Sequence, residues 1–171
     1  AGAQVILADR SEPICRDAAQ AVAADTGKQP RTQVCDVSRE EDVAALFSRL
    51  EQEYGALDFL ILNVMGKPEG YYRPFEEYPL QTWRKVHDTN LTGAFLCCQR
   101  AARLMEKHRC GSIVITASIY GIVAPDFRIY QDCQPVQNPY GGSDPLTAPA
   151  AYASSKGGLI ALARYLAVLL A

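Results

Sequence analysis

Tyr152 and Lys156 stand four positions apart in Ala151-Tyr152-Ala153-Ser154-Ser155-Lys156, a spacing that puts both side chains on one face of a helix. A free tyrosine ionises near pH 10, so only about 0.1% of it is phenolate at neutral pH. A fixed cation beside such a phenol favours the ionised form, typically by about one to three pH units. The pair therefore has the composition of a general acid/base, with Tyr152 carrying the proton and Lys156 activating it. Taken alone, Y-x-x-x-K also describes a solvated lysine beside a packed tyrosine.

Two further polar positions bear on that choice. Ser118 follows Ser112 to Thr116 (SIVIT), an apolar run that reads as a strand. Parallel α/β sheets bind ligands at the carboxyl ends of their strands, where a hydroxyl can hold a substrate oxygen. Asn90, in His87-Asp88-Thr89-Asn90-Leu91-Thr92-Gly93, falls inside a helical pattern where asparagine is a mediocre former, and by itself it reads as a surface polar residue.

The elements that must position these residues alternate along the chain. Gln4 to Asp9 (QVILAD) reads as a buried parallel strand and Pro13 to Asp25 as an alanine-rich helix. Thr32 to Cys35 is a second strand. Ser38 and Glu41 form an S-x-x-E capping box for a helix that runs to Tyr54 and stops at Gly55. Leu57 to Leu62 is the third strand, and a Gly-, Pro- and Tyr-rich loop runs from Met65 to Pro79. The pattern is helical from Leu80 to Lys107, Ser112 to Thr116 is the fourth strand, and Ile119 to Leu146 is irregular, with Cys133, Pro135, Pro139, Gly141 and Gly142 within it. A final helix starts near Thr147, with Pro149 in its first turn. This alternation predicts one doubly wound α/β domain over residues 1–171, with a parallel sheet between helices.

Composition narrows the function classes. Lys+Arg 17 against Asp+Glu 19 gives a formal charge of -2, without the basic excess that a nucleic-acid partner requires. No run of 18 or more apolar residues appears, so no membrane span is expected. The six cysteines show no CxxC pair, and they read as reduced thiols of a cytoplasmic protein. His87 and His108 share a helical stretch without zinc-type ligand spacing, so both read as packing or surface residues and no metal is expected.

Together, Asn90 in T-N-L-T-G, Ser118 after its strand, and Tyr152 and Lys156 in Y-A-S-S-K resemble the short-chain dehydrogenase/reductase family, classical type, over nearly the entire chain. The resemblance implies hydride transfer between a nicotinamide cofactor and a carbonyl or alcohol. Tyr152 would exchange a proton with the substrate oxygen, Ser118 would orient that oxygen, Lys156 would hold the nicotinamide ribose, and Asn90 would keep a water in a proton relay. It also implies that Asp9 meets the adenosine ribose hydroxyls, that Asp36 and Val37 contact adenine, and that Asn63 and Gly66 belong to the turn where the family shows N-N-A-G. Here Val64 and Met65 replace the middle of that motif. Asp9 favours NAD over NADP, although the adjacent Arg10 is placed to meet a 2′-phosphate.

The chain also departs from the family. No glycine-rich G-x-x-x-G-x-G turn occurs, and the resemblance implies that the first strand with its phosphate loop and the C-terminal strands lie outside this sequence. In the order 3-2-1-4-5 the absent strand would fall between those at Gln4 and Leu57, so a longer natural protein is expected. The segment after Ser118 is longer than the family needs, and Arg128 and Tyr130 within it are candidate substrate contacts. Its S-I-Y-G-x-x-A-P-D-x-R-I-Y pattern is similar to enzymes of bacterial surface-sugar or flagellin modification. A nucleotide-sugar epimerase or dehydratase, which shares Y-x-x-x-K, and a non-catalytic nucleotide-binding scaffold are the competing readings. Family resemblance implies a homodimer or homotetramer built on the helices around Leu80 to Lys107 and after Thr147.

Overall fold

The computed structural model describes residues 2–131 and 145–171. Cys133, Pro135, Pro139, Gly141 and Gly142 lie outside the described residues. The elements in chain order are β1 (Ile6–Asp9), α1 (Glu12–Thr26), β2 (Arg31–Val34), α2 (Glu40–Tyr54), β3 (Phe59–Leu62), α3 (Leu80–His87), α4 (Gly93–His108), β4 (Ser112–Ile115) and α5 (Ala150–Leu169). Short 3₁₀ turns cover Phe75–Glu77, Ile119–Gly121 and Phe127–Tyr130.

Helix ends follow their local chemistry. Gly55 closes α2 at φ 71°, a left-handed conformation that costs glycine little, and its N–H returns to Glu51 O. The start of α2 differs from the capping-box expectation. Arg39 is the N-cap and makes no side-chain cap bond. Ser38 instead turns back to Asp36, donating its hydroxyl (2.7 Å) and its N–H (3.0 Å) to Oδ1. Glu41 is drawn away by Arg39 at 2.7 Å. The Ser38 side chain thus serves Asp36 and makes no cap bond to α2.

The helical stretch from Leu80 is also not continuous. A π-turn at Asp88–Thr92 separates α3 from α4, with the Gly93 N–H bonded to Asp88 O. Such turns occur often at functional sites.

β1 pairs with β2 in parallel from Ile6↔Arg31 to Asp9↔Val34. β3 pairs with β4 in parallel from Phe59↔Ser112 to Leu62↔Ile115. The described residues thus hold two two-stranded parallel sheets. One core joins them: Val43, Leu46, Phe47 and Leu50 of α2 and Cys97, Cys98, Ala101, Leu104 and Met105 of α4 are buried with Leu62, and Ile6, Ile113 and Ile115 pack against them. α1 covers β1 and β2 through buried Cys15 and Ala19. Strand alternation leaves the other face of β3 and β4 open, with Phe59 68% and Ile61 69% exposed.

Candidate active site

The first turns of α5 carry Tyr152 and Lys156. Lys156 is 3% exposed, and its Nζ donates to Thr116 O at 2.6 Å, just past the end of β4. Thr116 is itself fixed to β3 by its N–H on Leu62 O. The ammonium lies 5.8 Å from the centroid of the Tyr152 ring. Burial lowers the Lys156 pKa from its ordinary 10.5, because the charged form loses water. A buried ammonium beside a half-buried tyrosine at a strand end is a composition suited to proton transfer.

Ser118 lies beyond the same strand end. Its Oγ accepts the Tyr120 N–H at 3.2 Å and caps the 3₁₀ turn Ile119–Gly121. That turn is pressed onto α5, where a Cβ on Gly121 would fall 2.7 Å from Gly157 N. Close backbone approach of this kind needs glycine. Among the described residues no hydrogen bond joins the Ser118 hydroxyl to the Tyr152 phenol.

Asn90 is 1% exposed and sits in the π-turn, which overturns the reading of a surface polar residue. Its Oδ1 accepts the Gly66 N–H at 2.9 Å and its Nδ2 donates to Ser155 Oγ at 3.0 Å. Ser155, fully buried, donates onward to Tyr152 O at 2.9 Å. The Asn90 amide is therefore engaged at both ends by protein. Ser155 was missed in the sequence, although a serine in the middle of a helix is a signal in its own right. Gly121 and Gly157 were missed because their contact spans two distant segments.

The cofactor candidates sit at strand ends. Asp9 closes β1, and its Oδ1 accepts the Ser11 N–H at 2.9 Å. Arg10 is the exposed next residue. Asp36 follows β2, its carboxylate holding Ser38 and its N–H donating to Asp42 at 3.0 Å. Val37 is packed so closely on Gly93 that a Cβ there would lie 2.7 Å from Val37 Cγ2. Asn63 is exposed beyond β3, and Gly66 is buried, with Thr89 3.1 Å from the position of an added Cβ.

The substrate candidates behave differently from one another. Arg128, 83% exposed, folds back on Asp126 at 2.6 Å, so its charge is neutralised locally. The Tyr130 hydroxyl bonds that of Tyr120 at 2.8 Å, which holds it near the Ser118 turn. Tyr152 packs at the edge of an aromatic cluster absent from the sequence reading: Tyr71, Tyr72 and Val86 are buried with Ala151, and Tyr78, Trp83 and Leu146 pack against them as Tyr152 does. Burial raises the Tyr71 pKa, and it pushes that of Tyr78 up to about 12. These phenols stay protonated in any ordinary buffer.

His87 Nδ1 bonds Trp83 O and His108 Nε2 bonds Gly55 O, each at 2.9 Å, as packing residues do. Among the described residues no group of three His, Cys, Asp or Glu side chains converges. No helix among them is long and apolar enough to cross a membrane.

A family model described as "Enoyl-(Acyl carrier protein) reductase" matches residues 1–134. The 2,5-dichloro-2,5-cyclohexadiene-1,4-diol dehydrogenase of Sphingobium indicum is 36% identical over 123 residues, 71% of this chain and 47% of its own length. The crystal structure of NAD+-bound xylitol dehydrogenase superposes on 98% of this chain and 55% of its own, with TM-score 0.78 and 29% identity. An NADPH-dependent 3-quinuclidinone reductase from Rhodotorula rubra covers 99% of this chain and 56% of its own, with TM-score 0.75 and 27% identity. The chain thus spans about half the length of the relatives it matches. The family-model match stops before Tyr152, whereas the structural matches run through α5. With its doubly wound α/β fold and these matches, the chain belongs to the short-chain dehydrogenase/reductase family.

Proposed function

We propose that the protein is an oxidoreductase moving a hydride between a nicotinamide dinucleotide and a secondary alcohol or its ketone, with Tyr152 as the proton-transferring group. The observation that carries this reading is the Lys156 ammonium, buried at 3% exposure on one backbone carbonyl and 5.8 Å from the Tyr152 ring. Taking an ammonium out of water costs several kcal/mol, more than one carbonyl contact offsets. A perturbed charge beside a titratable partner is the signature of a working site.

In alcohol oxidation Tyr152 as phenolate takes the hydroxyl proton, and in ketone reduction the phenol returns it. Ser118, whose oxygen already accepts from Tyr120, keeps its proton to donate to the substrate oxygen. The dinucleotide, when bound, accepts or supplies the hydride.

Several residues fit that group. One of the three Lys156 donors goes to Thr116 O, and the others suit ribose hydroxyls. Asp9 is held at the end of β1, where a carboxylate meets the adenosine ribose. Its charge would repel a 2′-phosphate, which supports NAD over NADP. Asp36 and Val37 would flank the adenine, with Asn63 and Gly66 along the dinucleotide.

The aromatic cluster against which Tyr152 packs, together with exposed Ile119 and Ile122 after Ser118, favours a small apolar ring alcohol over a charged sugar. The Sphingobium relative is named for such a ring diol. The exposed apolar side chains Phe95, Tyr165 and Val168 on α4 and α5 support a homodimer or homotetramer. The five described cysteines are free thiols, which supports a cytoplasmic setting.

The test is Tyr152→Phe, assayed for net NADH formation with cyclic secondary alcohols. Turnover is expected to vanish while dinucleotide binding, followed by titration, survives. Persistent turnover would sink the assignment, and transient rather than net cofactor reduction would point to an epimerase.

A further inference from the structure

We infer that Ser155 is a positioning residue for the proton transfer, locking the Tyr152 turn of α5 to the Asn90 π-turn. This rests on Tyr152 being the proton-transferring group. The hydrogen bonds run in one direction only. A backbone N–H can only donate, so Gly66 fixes Asn90 Oδ1 as the acceptor and leaves Nδ2 to donate to Ser155 Oγ. The single Ser155 proton then goes to Tyr152 O. The chain connects the turn after β3, the π-turn and the helix that carries the phenol.

Ser154, the preceding residue, differs in its exposure and in its helix-internal bond. It is exposed and donates to Ala150 O at 2.8 Å within its own helix, with His87 Nε2 at 3.1 Å. Ser155 is instead fully buried and accepts from the equally buried Asn90 amide. Removing its hydroxyl leaves the Asn90 Nδ2 donors, 1% exposed, without this acceptor. A buried donor of that kind seeks a new partner, and the Gly66 and Tyr152 ends of the chain move with it. Proton transfer is sensitive to such shifts, since displacements of about 1 Å cost up to about a hundredfold in rate.

The experiment measures kcat, KM and NAD binding in the whole enzyme for Ser155→Ala, with Ser154→Ala as the control on the same helix. Ser155→Ala is expected to lower kcat about tenfold, the rate equivalent of one unsatisfied buried hydrogen bond. KM and dinucleotide affinity should hold within about twofold. Ser155→Thr, which keeps the hydroxyl, should recover most of the rate, and Asn90→Ala with Ser155→Ala should be no slower than Asn90→Ala alone. A lowered melting temperature at wild-type kcat, or losses that add, would overturn the positioning role and leave Ser155 a packing residue. Wild-type enzyme inactive with both dinucleotides would overturn the functional reading as well, so the two failures are distinguishable.

Discussion

Gly121 and Gly157 meet backbone to backbone, and this contact holds the Ser118 turn against the helix of Tyr152 and Lys156. A Cβ on Gly121 would lie 2.7 Å from both Gly157 N and Lys156 C, whereas one on Gly157 would lie 3.3 Å from Gly121 O.

The asymmetry makes Gly121→Ala the severe substitution of the pair. Its methyl meets helix backbone that cannot step aside, and overpacking of this kind costs about 1–3 kcal/mol. A fall in melting temperature and a loss of turnover should appear together, because Ser118 is displaced from Tyr152. Gly157→Ala needs only a few tenths of an ångström of adjustment and should be milder in both. Equal effects in thermal denaturation would contradict the contact as described.

Asp9→Ser tests the cofactor end. The carboxylate is oriented by the Ser11 N–H, and its removal takes away the charge opposed to a 2′-phosphate while Arg10 remains beside it. The ratio of kcat/KM for NAD over NADP should fall by about tenfold or more. An unchanged ratio would remove Asp9 from the ribose site.

The thiols give a pH prediction. Burial raises Cys35 and Cys98 to about 11 and Cys97 to about 12, from an ordinary 9.0. The unfolded chain loses these protons first as pH rises, so the native state binds more protons and stability falls above pH 9, toward pH 11 and 12. Below pH 9 the three thiols add no pH dependence. Urea melts from pH 8 to 10.5 should show the decline, and Cys97→Ala should flatten part of it. At pH 8, native-state alkylation read by mass spectrometry should label exposed Cys110 and spare Cys15, Cys35, Cys97 and Cys98.

Much of this arrangement was legible in local patterns. Gly55 stops α2 as its chemistry requires, and Tyr152 and Lys156 share a face because helical spacing dictates it. The parallel pairs also follow from the apolar runs, although β1 begins at Ile6 rather than Gln4. The rest depends on partners distant in sequence. Asn90 is buried because Gly66 and Ser155 converge on it from two other segments, which no propensity encodes. The Ser38 and Glu41 pattern failed because Ser38 is tied to Asp36, Glu41 is held by Arg39, and the helix starts one residue later. The partner of Lys156 is a backbone carbonyl, which has no side-chain signature at all.

The open face of β3 and β4 has a consequence for handling the polypeptide. Phe59, Ile61 and Val114 form an apolar row on strands whose ladder, among the described residues, stops at two members. A bare strand edge beside such a row is a template onto which a second chain can add its own strand. Left uncovered at the concentrations reached in overexpression, it drives aggregation, and solubility becomes a direct readout of whether that face has found its cover.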